Sequence, residues 1–224
     1  QGSGSAVAFS YNLPESIVLT HQGNPACVGN KPYADSDGPM RPDALFRCNA
    51  SPNWLDVTKA HIPQADEQQR LLVNVLNNMS EKSGPLPHYW YLPHGYKAAM
   101  VMASDDHATD RGTSIFFDTI SLRSPNNCST LDWTCPRASS LLYIDVNAPT
   151  SDQADIAHAY GYELGIHVNT GCSDTTKAYI SSEFASQLNN FATAYPGLPN
   201  QKFSRSHCYM WNGWVDTAKI GHQY

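Results

Sequence analysis

The chain has 224 residues, 41% of them apolar and only 15% charged, with a formal charge of −6. That composition supplies a sizeable core and excludes a disordered chain. It offers no basic patch to neutralise phosphates, so nucleic acid is not an expected partner, and no apolar run reaches the length of a membrane span.

Residues 1–60, rich in Pro, Gly and Asn, read as an irregular N-terminal segment, the tail of a preceding domain. Short strands are expected over 5–11 and 16–20, followed by a long loop. "ADSDG" at 34–38 has the opening of a calcium loop but lacks the later Glu, so it reads as a turn. The chain starts at Gln1 without a Met or a signal peptide, and "AKIGHQY" stops at the end of a helix. It therefore reads as a piece of a longer polypeptide.

"PQADEQQRLLVNVLNNMSEKSG" is the clearest helix: Pro63 at its start, Asp66 and Glu67 in the first turn, an apolar stripe of Leu71, Leu72, Val75, Leu76 and Met79, and Gly84 beyond the end. The aromatics of "HYWYLPHGY" (88–96) either pack a first strand or stack on sugar rings. "KAAMVMAS" (97–104) is an apolar run of strand length, expected to be buried on both faces. "TSIFFDTIS" (113–121) reads as helix, and "CSTLDWTC" (128–135) as a loop.

Ser151 is the expected N-cap of a helix that Gly161 ends, and Tyr162–Val168 the strand after it. A further amphipathic helix runs up to Pro196, and a buried strand covers 202–211. Strands alternating with helices imply a parallel sheet with helical crossovers, an α/β layered or barrel fold. In such folds polar residues at the C-terminal ends of strands gather at one rim.

Three strands end in that way. The first delivers Asp105, Asp106 and His107, the second His167 with Asn169, and the third Arg205 and His207. Singly, each has a plain structural reading: an Asp pair as a helix N-cap, a core histidine, an ion-paired arginine. Together they match the needs of metal-assisted hydrolysis, in which a carboxylate and imidazoles hold the ion and a free carboxylate takes a proton from water. A metal on one Asp also relieves the repulsion between the adjacent carboxylates. No G-x-S-x-G, H-E-x-x-H, G-x-G-x-x-G or P-loop pattern occurs.

Six cysteines (Cys27, Cys48, Cys128, Cys135, Cys172, Cys208) form no C-x-x-C pair, and sequons occur at Asn49, Asn78 and Asn127. Together these features point to a secreted, disulfide-bonded glycoprotein.

"ASDDH" (103–107), "GYELGIHVNTG" (161–171) and "RSHC" (205–208) resemble, in order and spacing, the three motifs of the polysaccharide deacetylase (NodB-homology) family. The pattern "RSHCYMW" is similar to a divergent secreted branch of that family. The resemblance spans about residues 85–220. It implies a distorted (β/α) barrel, incomplete in this chain, with 61–224 as its N-terminal part. It also implies removal of acetyl groups from a glycan with a divalent metal, zinc by expectation.

The resemblance assigns Asp105 as general base held by Arg205, and Asp106 and His167 as metal ligands. Gly171 stands where the family has its second metal histidine, and His207 stands where it has Pro. His207 therefore joins the expected ligands, with His107 as a substitute. The layout implies the pairings Cys172–Cys208, Cys128–Cys135 and Cys27–Cys48; cysteine ligation of a metal is the competing reading. The alternative function is a non-catalytic structural or carbohydrate-binding glycoprotein with a degenerate barrel.

Overall fold

The structure is a computed structural model that describes residues 4–29, 39–47, 55–80, 84, 92–107, 109–144 and 147–224. The chain divides into two compact units, one of Gln1–Ser36 with Met40–Tyr91 and the other of Asp37–Pro39 with Leu92–Tyr224.

In the first unit, helix α1 (Leu13–Gln22) packs on helix α2 (Gln64–Ser80). Neither short strand expected at 5–11 or 16–20 is present among the described residues, and 16–20 lie inside α1. The reason is local. The Asn12 side chain accepts a hydrogen bond from the Glu15 amide, and Pro14 occupies the first turn, so the segment carries a complete helix start. Helix α2 forms where its pattern placed it and belongs to this N-terminal unit, with Leu71, Leu76 and Met79 exposed. The turn read at 34–38 lies outside the described residues, as do Cys48 and Asn49. Cys27 is buried and disulfide-bonded.

The second unit is α/β. Strands β1 (Ala103–Asp106), β2 (Ser139–Leu142), β3 (Glu163–Val168) and β4 (Ser204–Ser206) form one parallel sheet in the order β1-β2-β3-β4. The sheet curls as half of a barrel. Helices α3 (Gly112–Ser121), α4 (Ser151–Ala159) and α5 (Lys177–Ala194) make the crossovers, and α6 (Asp216–Gln223) follows β4.

The first strand is shorter than its apolar run. Only 103–106 pair with β2, and Met100 and Val101 are 81% and 89% exposed, against the expectation of burial. β4 is likewise three residues long rather than ten, because Cys208 and Tyr209 take positive φ and turn the chain away. Strand β2 carries no expectation from the sequence; four residues of Ser-Ser-Leu-Leu are too short to show a period. α4 starts one residue earlier than expected, with Thr150 rather than Ser151 as N-cap in a full capping box with Gln153.

Register decides what each face carries. Asp106, Leu142, Ile166 and Ser204 stand in one row across the sheet. Successive strand residues point to opposite faces. One face therefore holds Leu142, Leu164, Ile166 and Val168, which pack with Phe117 and Ile120 of α3, Ala154 of α4, Ile180, Phe184 and Phe191 of α5 and Ile220 of α6 into the core. The other face carries Asp105, Leu141 and Gly165. Phe203 lies directly against Gly165, in space that any side chain on that residue would fill.

Two disulfides pin the second unit, Cys128–Cys135 and Cys172–Cys208, as the layout implied. No helix among the described residues is long and apolar enough to cross a membrane.

Candidate metal centre

The sheet register brings the site together. His167 is paired with Arg205, and one step beyond the Asp106–Leu142 pair stand His107 and Tyr143. The Tyr143 amide donates to the Asp106 carbonyl at 3.2 Å, which continues the ladder. His107, Tyr143, His167 and Arg205 thus stand level at the C-terminal edge, on the face opposite the helices. His207 joins them from the turn after β4, where the neighbouring Cys208 is tied to Cys172.

Three imidazoles converge. His107 Nε2 lies 2.8 Å from His167 Nε2, which lies 3.2 Å from His207 Nδ1. His107, His167 and His207 form a group that could hold a metal ion, their ligand atoms all within 4.8 Å of one another. Around a tetrahedral ion with bonds of about 2.0–2.1 Å, neighbouring nitrogens stand about 3.3 Å apart. The His107–His167 and His167–His207 separations lie close to that spacing, and the third lies within 4.8 Å, so the three imidazoles form a donor set of the size such an ion needs. Cys172 and Cys208 also lie near His207, but their sulfurs are joined in a disulfide and provide no thiolate. That removes the cysteine-ligated reading at this position.

Behind the triad runs a charged chain. Arg205 donates to Asp105 Oδ1 at 2.8 Å, and the same oxygen faces His167 Nδ1 at 3.8 Å. His167 is 2% exposed, and its Nδ1 makes no hydrogen bond among the described residues. A proton on Nδ1 is favoured by the Asp105 charge, and this tautomer leaves the Nε2 lone pair facing His107 and His207. Burial pushes the His167 pKa down to about 4. Asp105 opposes the shift, while His107, His207 and Arg205 add to it. His207 is lowered as well, by burial first and His107 second.

Asp106 is not part of this cluster. It is buried, and it accepts hydrogen bonds from the Thr109 amide, the Thr113 amide and the Thr113 hydroxyl at 2.9, 2.9 and 2.7 Å. It serves the start of α3, the plain reading of an Asp pair after a strand. The expectation that Asp106 ligates the metal is corrected by strand alternation: adjacent residues of β1 cannot face the same side. His107, the next residue on the Asp105 face, takes its place. Gly171 brings no imidazole, and His107 and His207 are the two that stand with His167.

Tyr143 was not singled out from sequence. The centroids of the four rings lie 4.6 Å (His107–His167), 4.7 Å (His107–His207), 5.3 Å (His167–His207), 5.2 Å (Tyr143–His107), 5.1 Å (Tyr143–His167) and 5.4 Å (Tyr143–His207) apart, a compact tetrahedron of rings. The Tyr143 hydroxyl is buried and has no hydrogen-bond partner among the described residues. Burial, with the Asp105 charge second, pushes its pKa up to about 12. The signal in the sequence was its place one residue after a short apolar run, but that run had not been read as a strand.

A cleft of about 510 Å³ lies between the strand ends and α5, lined by Tyr143, His167, Asn169, Tyr179, Glu183 and Gln187; of the three imidazoles only His167 borders it. Of the "HYWYLPHGY" aromatics, 88–91 lie outside the described residues, and Tyr96 is exposed. Two sequon asparagines are described: Asn78 and Asn127 are both exposed, Asn127 in the left-handed conformation that Asn tolerates. No family model matches the chain, and neither a curated protein nor a solved structure matches it.

Proposed function

We propose that the protein is a secreted, metal-dependent hydrolase that removes acetyl groups from a glycan. The observation that carries the reading is the convergence of His107, His167 and His207 at the C-terminal edge of a parallel sheet, with Asp105 and Arg205 behind them. Three imidazoles are a donor set suited to zinc with one position left open. When bound, zinc would polarise an acyl carbonyl and lower the pKa of water to about 7.

In this reading the protein's own residues divide the remaining work. His107 Nε2, His167 Nε2 and His207 Nδ1 hold the ion. Arg205 fixes Asp105, and Asp105 Oδ1 holds the His167 tautomer. Asp105 Oδ2, which makes no hydrogen bond among the described residues, accepts the proton of the attacking water. The cleft along α5 receives the neighbouring sugar units, for which its tyrosines and its amide and carboxylate groups are suited. The disulfides and the exposed sequons support an oxidising, extracellular location.

The test is acetate release from zinc-loaded protein on chitin-like and xylan-like oligomers, with His207→Ala as control. Release by the wild type and its loss in the variant support the reading. Zinc uptake without release from any acetylated glycan would leave a degenerate, non-catalytic barrel as the better account.

A further inference from the structure

We infer that Tyr143 is a catalytic residue of this centre, its hydroxyl donating a hydrogen bond to the acyl oxygen as that oxygen becomes negative. The inference rests on the hydrolase reading above and adds a group that neither the motifs nor the chain of charges supplied.

Three observations carry it. The sheet register sets Tyr143 level with His107 and His167, at the end of β2 between the two strands that carry them. Its ring stands 5.1–5.4 Å from each of the three imidazole rings. Its hydroxyl is buried and has no hydrogen-bond partner among the described residues. A buried hydroxyl without a partner has lost its water without a replacement, a deficit that a ligand oxygen at the cluster would remove. Tyr143 also lines the cleft between the strand ends and α5, next to His167.

The chemistry needs a donor at this place. In acyl hydrolysis the water oxygen bonds to the carbonyl carbon and the π pair moves onto the carbonyl oxygen. The acyl–nitrogen or acyl–oxygen bond then breaks, the departing atom takes a proton, and acetate is left. Tyr143 keeps its own proton throughout and contributes only the hydrogen bond, strongest while the oxygen carries charge. A fixed donor of this kind typically contributes 10²–10³-fold to kcat.

Tyr143→Phe removes one oxygen atom and preserves the ring packing. With the zinc-loaded protein and an acetylated oligosaccharide, the variant is expected to take up zinc as the wild type does and to keep KM within about twofold. It is expected to lose about 100-fold in kcat. Inorganic phosphate, whose oxygens mimic the charged acyl oxygen, is expected to bind the zinc-loaded variant about tenfold more weakly by calorimetry. Unchanged kcat or unchanged phosphate affinity overturns the role of Tyr143 and leaves the hydrolase reading standing. Loss of zinc from the variant also overturns it, since Tyr143 would then be part of the metal shell. A wild type that releases no acetate removes the hydrolase reading, and the phosphate comparison still decides whether Tyr143 donates to an anion at the metal.

Discussion

Asp105 and Asp106 are neighbours in the chain and act on opposite sides of β1. Asp105 meets Arg205 and His167 at the sheet edge, whereas Asp106 is buried against Thr109 and Thr113 at the start of α3. Exchanging each carboxylate for an amide should therefore give opposite results. Asp106→Asn should cost about 2 kcal/mol of stability, through lost charge-assisted hydrogen bonds, and leave zinc affinity unchanged. Asp105→Asn should cost little stability and weaken zinc binding about 10–100-fold, because it loosens the orientation of His167. Denaturant titration beside a zinc-competition assay reads both. Equal effects of the two exchanges would contradict the assignment.

Acid should destabilise the metal-free protein through His167. Its folded pKa of about 4 lies below the ordinary value of 6.5, so the unfolded chain binds a proton that the folded one refuses. Stability from this group is fully present above about pH 6.5 and is lost as pH falls towards 4, by up to about 3 kcal/mol. Thermal unfolding followed from pH 7 to pH 4 measures the slope, and His167→Gln should flatten it. An equally steep slope in that variant would place the acid sensitivity elsewhere.

The close approach of Phe203 to Gly165 leaves no space for a side chain at Gly165. Gly165→Ala should cost about 1–3 kcal/mol, because a rigid ring and paired strands on both sides leave no room for a methyl group. Phe203→Leu in the same chain should recover part of that loss. Thermal unfolding of the three variants is the measurement, and additive losses would show that the two residues do not compete for one space.

Breaking Cys172–Cys208 should act on stability and on the site together. The bridge closes a loop of 36 residues, so replacing both cysteines by serine should cost about 3–4 kcal/mol. Because Cys208 adjoins His207, zinc affinity should fall too. Replacing Cys128 and Cys135, whose bridge spans 7 residues away from the triad, should lower stability alone. Zinc titration of both double variants separates the two effects.

The α/β class, helices α2, α3 and α5 and strand β3 were legible in the sequence because caps, long periods and breakers act locally. Helix α1 was not legible in its apolar residues, whose run over 16–20 has strand length; its start is carried by Asn12 and Pro14. The extent of β1 differs from its apolar run because pairing, not apolarity, decides where a strand runs: among the described residues Met100 and Val101 have no neighbour strand. Three imidazoles and the Arg205–Asp105 pair were legible as strand-end residues. The division of labour between Asp105, Asp106 and His107 was also present in the sequence, in the period of two that every strand obeys. Tyr143 was not, because its place depends on the register of β2 against both neighbours.

The central claim is that His107, His167 and His207, and not Asp106, hold the ion. Metal content of the natively purified protein tests it most directly, measured beside His107→Ala and Asp106→Asn. His107 is exposed, so its loss need not disturb the fold. The account predicts about one zinc per chain, lost in His107→Ala and retained in folded Asp106→Asn. Zinc retained without His107, zinc lost with Asp106, or no bound metal in the native protein would contradict it.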